Sequence, residues 1–137
     1  MKPEIVLFGD SIFDNAAYTK RGEAVIQHVF RREYRKMLEK ARSTGLPVTV
    51  CTIYDNSPMM EVWHRAALTV FNDVITNEAA VQGASLIDLR AVCDDPGDYS
   101  SVSPIEPSEQ GSVKIARVIK LVLDDQLGGA TGSRIYL

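Results

Sequence analysis

Three short apolar runs alternate with three long amphipathic stripes along this chain, and few architectures other than a layered α/β domain accept that order. Glu4 to Phe8 is rich in β-formers and stops at Gly9-Asp10-Ser11, as a buried parallel strand does when it feeds a turn. Val48 to Tyr54 is almost wholly apolar and ends in the turn cluster Asp55-Asn56-Ser57-Pro58. Ala84 to Leu89 is the third run.

The stripes between the runs have helical period. Val25, Ile26, Val29, Phe30, Tyr34, Met37, Leu38 and Ala41 recur at three- and four-residue steps, which predicts one helix over Glu23 to Arg42, closed by Gly45 and Pro47. Val62, Trp63, Ala66, Ala67, Val70, Phe71, Val74 and Ile75 predict a second helix over Glu61 to Ala80, stopped by Gly83. Val113, Ala116, Val118, Ile119, Leu121 and Val122 predict a last helix over Glu109 to Leu127, capped at or near Ser108. Residues 128–137, which open on Gly128-Gly129-Ala130-Thr131-Gly132, read as a flexible tail. The expectation is a single α/β domain over residues 1–137, a shortened flavodoxin-like three-layer α/β/α arrangement with a parallel sheet. Ligands of such sheets sit at the carboxyl ends of the strands.

With 137 residues and 45% hydrophobic composition, the chain is large enough for one real core and too small for two. Its 15 Lys and Arg stand against 18 Asp and Glu, and the basic residues concentrate between Arg31 and Arg42 on a helical segment. That is a solvated helix face, so no nucleic-acid partner is expected. The first apolar run, Ile5 to Phe8, is too short for a signal peptide or a membrane span, and the expectation is a cytoplasmic protein without a membrane partner. Cys51 and Cys93 belong to no Cys-x-x-Cys motif and read as buried thiols. His28 and His64 share no metal-ligand spacing, and no phosphate loop or dinucleotide fingerprint occurs, so neither a metal nor a cofactor is expected. Asp10, Asp55 and Asp88 each fall at or near a strand's carboxyl end, where aspartate serves as turn former, helix cap or Mg²⁺ ligand.

Ser11 follows the first run directly, at the edge where an open α/β sheet sets its active site. Gly9 allows a tight turn there, and a backbone N–H near a helix start can stabilise an oxyanion. Gly9-Asp10-Ser11-Ile12 resembles the first block of the GDSL (SGNH) serine ester hydrolases. Ser103-Pro104-Ile105-Glu106-Pro107, followed by Gly111 and Ala116, is similar to the frame of that family's last block, Asp-x-x-His-Pro. The resemblance implies cleavage of small acyl esters, with Ser11 as nucleophile and the Ser11 N–H as an oxyanion donor within the turn Gly9, Asp10, Ser11. Glu106 then occupies the position of the general-base His, and Ser103 that of the Asp that orients it.

The chain departs from that family in a second respect. The blocks that supply the oxyanion-hole Gly and Asn are missing, and Asn72-Asp73, inside a helical stripe, is no substitute. The apparent join lies at Val29 and Phe30, where what resembles the family's first helix runs in phase into what resembles its third. In the family those helices lie on opposite faces of the sheet. The fused helix is therefore expected to leave its own sheet and to form the centre of a domain-swapped homodimer.

Overall fold

The computed structural model describes residues 22–103 and 105–137. The expected strand Glu4 to Phe8 and the turn Gly9, Asp10, Ser11 lie outside the described residues. The chain order is helix α1 (Gly22–Arg42), strand β1 (Thr49–Cys51), helix α2 (Val62–Gln82), strand β2 (Ser85–Ile87), a short helix α3 (Leu89–Val92), a 3-10 turn (Pro96–Asp98), helix α4 (Glu109–Leu127) and strand β3 (Ile135–Tyr136). The strands form one parallel sheet in the order β1-β2-β3, with Val50 opposite Leu86 and Leu86 opposite Ile135. Over the described residues the protein is thus a mixed α/β fold on a small three-stranded parallel sheet.

Alternation along the strands divides the core into two layers. Val48, Val50 and Leu86 meet Ile75 and Ala79 of α2 and Phe30 and Tyr34 of α1. Cys51, Ile87 and Tyr136 turn the other way and meet Val118 and Val122 of α4, with Val92 and Tyr99 beside them. Each fully buried valine in such a layer contributes about 1.5 to 3 kcal/mol of transfer free energy. The step from β1 to β2 passes over the α2 face, and the step from β2 to β3, in the same direction, passes over the α4 face. The two crossovers therefore have opposite hands, and one departs from the right-handed rule that governs nearly all such connections.

Both β1 and β2 are shorter than their apolar runs. At Ile53 the Asn72 side chain takes both backbone groups: Ile53 N–H donates to Oδ1 at 2.7 Å and Asn72 Nδ2 donates to the Ile53 carbonyl at 2.8 Å. No added strand can pair with the outer edge of β1 there. β2 stops at Asp88 because that carboxylate caps α3, accepting from the Arg90 N–H at 3.2 Å. The glycine-rich tail carries an element after all. Ile135 and Tyr136 pair with β2, and Asp125 of α4 holds them there by accepting from Arg134 at 2.7 Å and from the Tyr136 hydroxyl at 3.0 Å.

The expectation that the long helix leaves its own sheet is not met. α1 runs unbroken through Val29 and Phe30 and lies parallel to α2: Arg31 reaches Asn77, Arg35 reaches Glu78, and Arg42 reaches the Gly83 carbonyl. Its apolar stripe needs only one partner face. Phe30 stands edge-on to Phe71 at 4.8 Å between ring centroids, and both helices close the same side of the sheet. Among the described residues no helix is long and apolar enough to cross a membrane.

Candidate functional site

The carboxyl ends of β1 and β2 open onto a rim built from two loops, residues 52–61 and 93–108. Tyr54 leaves β1 and donates its hydroxyl to the Ile105 carbonyl at 2.5 Å, so the segment that carries Glu106 is tied to this rim. The Tyr54 ring meets Tyr99 in a T-shaped contact at 5.3 Å. Tyr99 in turn bridges to Pro107, donates its hydroxyl to the Cys93 carbonyl at 2.7 Å and accepts from the Asn56 N–H at 3.1 Å. Burial pushes the Tyr99 phenol up to about 12, so it stays a neutral donor.

The Glu106 backbone is fixed on both sides. Its N–H donates to the Ser103 carbonyl at 3.0 Å, and its carbonyl accepts from the Ser100 N–H at 2.9 Å. Ser103 donates its own N–H to Ser100 Oγ at 3.3 Å. The Glu106 side chain is exposed, and its carboxylate makes no hydrogen bond to a described residue. Ser108 begins α4 immediately afterwards, accepting from the Gly111 N–H at 3.2 Å and donating to the Gly97 carbonyl at 2.6 Å.

Beneath this loop lies an ion pair on a buried carboxylate that the sequence did not announce. The Asp98 side chain is fully buried and accepts from Lys114 Nζ at 2.7 Å, Gln110 Nε2 at 2.9 Å and the Asp95 N–H at 3.0 Å. Burial alone would raise its pKa, but Lys114 and these donors hold the carboxyl below the ordinary carboxylate range. Lys114, held by Asp98 first and Asp94 second, is pushed up to about 12. The i, i+16 separation of Asp98 and Lys114 gives no periodic signal. Only the acidic Pro-Gly turn Asp95-Pro96-Gly97-Asp98 hints at a capping box.

Of the three aspartates expected at strand ends, Asp10 lies outside the described residues. Asp88 is engaged by Arg90 through two bonds of 2.7 Å and by the Thr52 hydroxyl at 2.8 Å. The Arg90 guanidinium keeps the Asp88 carboxyl well below its usual range. A carboxylate so occupied is a strut between β1 and β2. His64 is exposed and stacks on Trp63 at 3.4 Å between ring centroids, and His28 is exposed on α1. Cys93 is buried and Cys51 half-buried, both within the α4 layer, and burial pushes both thiols up. Val62 and Trp63, expected on the apolar stripe of the second helix, are 84% and 61% exposed at the start of α2, and Met59 just before it is 68% exposed.

No protein-family model, no curated protein and no solved structure matches this chain.

Proposed function

We propose that the chain is a slow ester hydrolase of the GDSL type, acting on small acyl esters through Ser11. The observation that carries this reading is the Tyr54 to Ile105 bond, which ties the Glu106 segment to the carboxyl rim of β1. An open α/β sheet gathers its chemistry at that rim. Attack by the Ser11 hydroxyl on the acyl carbon needs a base to take the hydroxyl proton and N–H donors for the oxyanion. In this reading the Glu106 carboxylate takes the proton, and the Ser11 N–H serves as donor.

The slowness follows from what Glu106 lacks. Imidazole in a serine hydrolase is held in line by a buried carboxylate. Ser103, at the corresponding position, spends its backbone on Ser100 and Glu106 and offers no charge. An exposed, unoriented carboxylate is a poor general base, so turnover falls well below the range of about 1 to 10³ per second common to enzymes. The test is covalent labelling by a fluorophosphonate probe together with hydrolysis of a short-chain nitrophenyl ester. Labelling of the native chain and none of Ser11→Ala is the expected result. Undiminished labelling of Ser11→Ala removes Ser11 as the nucleophile.

A second reading, a catalytically silent protein that associates with itself as a homodimer, draws support from the exposed Met59, Val62 and Trp63. A labelled-ester assay with no turnover, together with a particle of twice 15.1 kDa by light scattering, is its signature.

A further inference from the structure

We propose that the outer edge of β1, at Thr49 and Cys51, is the docking site of this chain's own segment Glu4 to Phe8, added to the sheet as a fourth, parallel strand. The inference does not depend on any hydrolase chemistry.

The edge is defined by the hydrogen bonds of β1. The Val48 carbonyl accepts from Ser85 N–H, and the Thr52 N–H donates to the Ile87 carbonyl. Alternation then turns the backbone of Val48, Val50 and Thr52 towards β2, and that of Thr49, Cys51 and Ile53 outwards. Ile53 is satisfied by Asn72, which thereby sets the carboxyl limit of any added strand. The N–H and carbonyl groups of Thr49 and Cys51 have no partner among the described residues, although both residues are half-buried. Half-buried backbone groups of this kind are nearly always paired, and an open apolar edge invites a strand.

The length and end point of the preceding chain choose the occupant. α1 is parallel to α2, so Gly22 begins α1 at the carboxyl rim, on the side of the first turn of α2. A strand over Glu4 to Phe8 running parallel to β1 ends at that same rim, and residues 9–21 suffice to reach Gly22 without recrossing the sheet. Ile5 to Phe8 are apolar on successive residues, which suits a strand covered on both faces. The connection through α1 would step in the same direction and over the same face as that through α2, giving the two the same hand. Gly9-Asp10-Ser11 would then emerge beside Tyr54.

Hydrogen exchange on the full chain, resolved by residue, tests the pairing. Thr49 and Cys51 amides should exchange at least about 10²-fold more slowly than in an unstructured peptide, and comparably to the Val50 amide. Adjacent residues of a strand point their N–H groups in opposite directions, so one of Val6→Pro and Leu7→Pro must break the ladder and speed exchange at Thr49 and Cys51 by about tenfold or more. Ser11→Ala should leave this protection unchanged, which separates the result from the fate of the ester-hydrolase reading. Thr49 and Cys51 amides that exchange freely in the native chain overturn the proposal. So does protection that appears only in a particle of twice 15.1 kDa and fades on dilution, which would give the edge to a second copy.

Discussion

Gly111 lies against the Asp98 carbonyl so closely that a Cβ added at Gly111 would overlap the oxygen. The same oxygen accepts from the Ser108 N–H at 2.7 Å, so it cannot retreat without breaking the bond that seats the start of α4. Gly111→Ala sets two effects against each other. Alanine in a helix interior gains up to about 1 kcal/mol over glycine, whereas forcing an atom into a packed contact costs about 1 to 3 kcal/mol. The neighbour is backbone and cannot rotate away, so the clash wins. Net destabilisation and a lower urea midpoint are expected, and an unchanged or raised midpoint would show that α4 can shift freely.

That glycine also marks how far the sequence could be read. The stripe from Val113 to Val122 and the cap at Ser108 located α4 to the residue, because a cap and a periodic face are local properties. The strand ends were less legible. Val48 to Tyr54 is one apolar run, yet β1 covers only Thr49–Cys51, and the outward backbone groups of Ile53 are taken by the side chain of Asn72, a tie that only folding makes. β3 escaped notice because two residues after a glycine-rich stretch carry no period, and the tie to Asp125 is tertiary. At the site, Glu106 could be singled out by its block, but Tyr54, Tyr99, Asp98 and Lys114, which hold its loop, are joined only by folding.

Asp98 should make the protein acid-sensitive, because its carboxyl titrates below the ordinary range in the folded chain. A depressed folded pKa contributes stability that is fully present above the unfolded value of about 4 and is lost as pH falls through the folded value. Glu78 and Asp88, held down by Arg35 and Arg90, act in the same sense. Stability measured by urea unfolding should be flat near neutrality and fall below about pH 4. Asp98→Asn should be less stable at pH 7 and show a shallower acid slope. A slope identical to that of the native chain would mean that Asp98 is not linked to folding.

Arg35 forks onto Glu78 with bonds of 2.9 and 2.8 Å, and the Glu78 side chain is fully buried while that of Arg35 is about half exposed. Truncating the partner of a buried charge costs about 3 to 5 kcal/mol when both groups are dry. Solvent at Arg35 and the second guanidinium of Arg31, 3.7 Å from Glu78, reduce that figure. Arg35→Ala is therefore expected to lower the urea midpoint, by less than the loss of a fully buried pair would. Arg35→Met with Glu78→Met should recover most of the loss, since two apolar side chains leave no charge unpaired. A double variant less stable than Arg35→Ala would show that the pair holds α1 to α2 by more than charge compensation.

The Glu106 carboxylate is exposed on a segment whose backbone is pinned by Ser100, Ser103 and Tyr54. The pinning fixes where position 106 sits, but nothing described fixes where its carboxylate points. A base that samples many orientations contributes little in the one geometry that a transition state requires, whereas well-placed acid–base catalysis contributes about 10² to 10⁴. Glu106→Gln should accordingly keep ester hydrolysis within about tenfold of the native chain. Glu106→His restores the side chain of the resembled family but not its orienting carboxylate, so a gain should appear only with Ser103→Asp in the same chain. Nitrophenyl ester turnover of the three variants decides the matter. A loss of about 10² or more in Glu106→Gln would make Glu106 an oriented base.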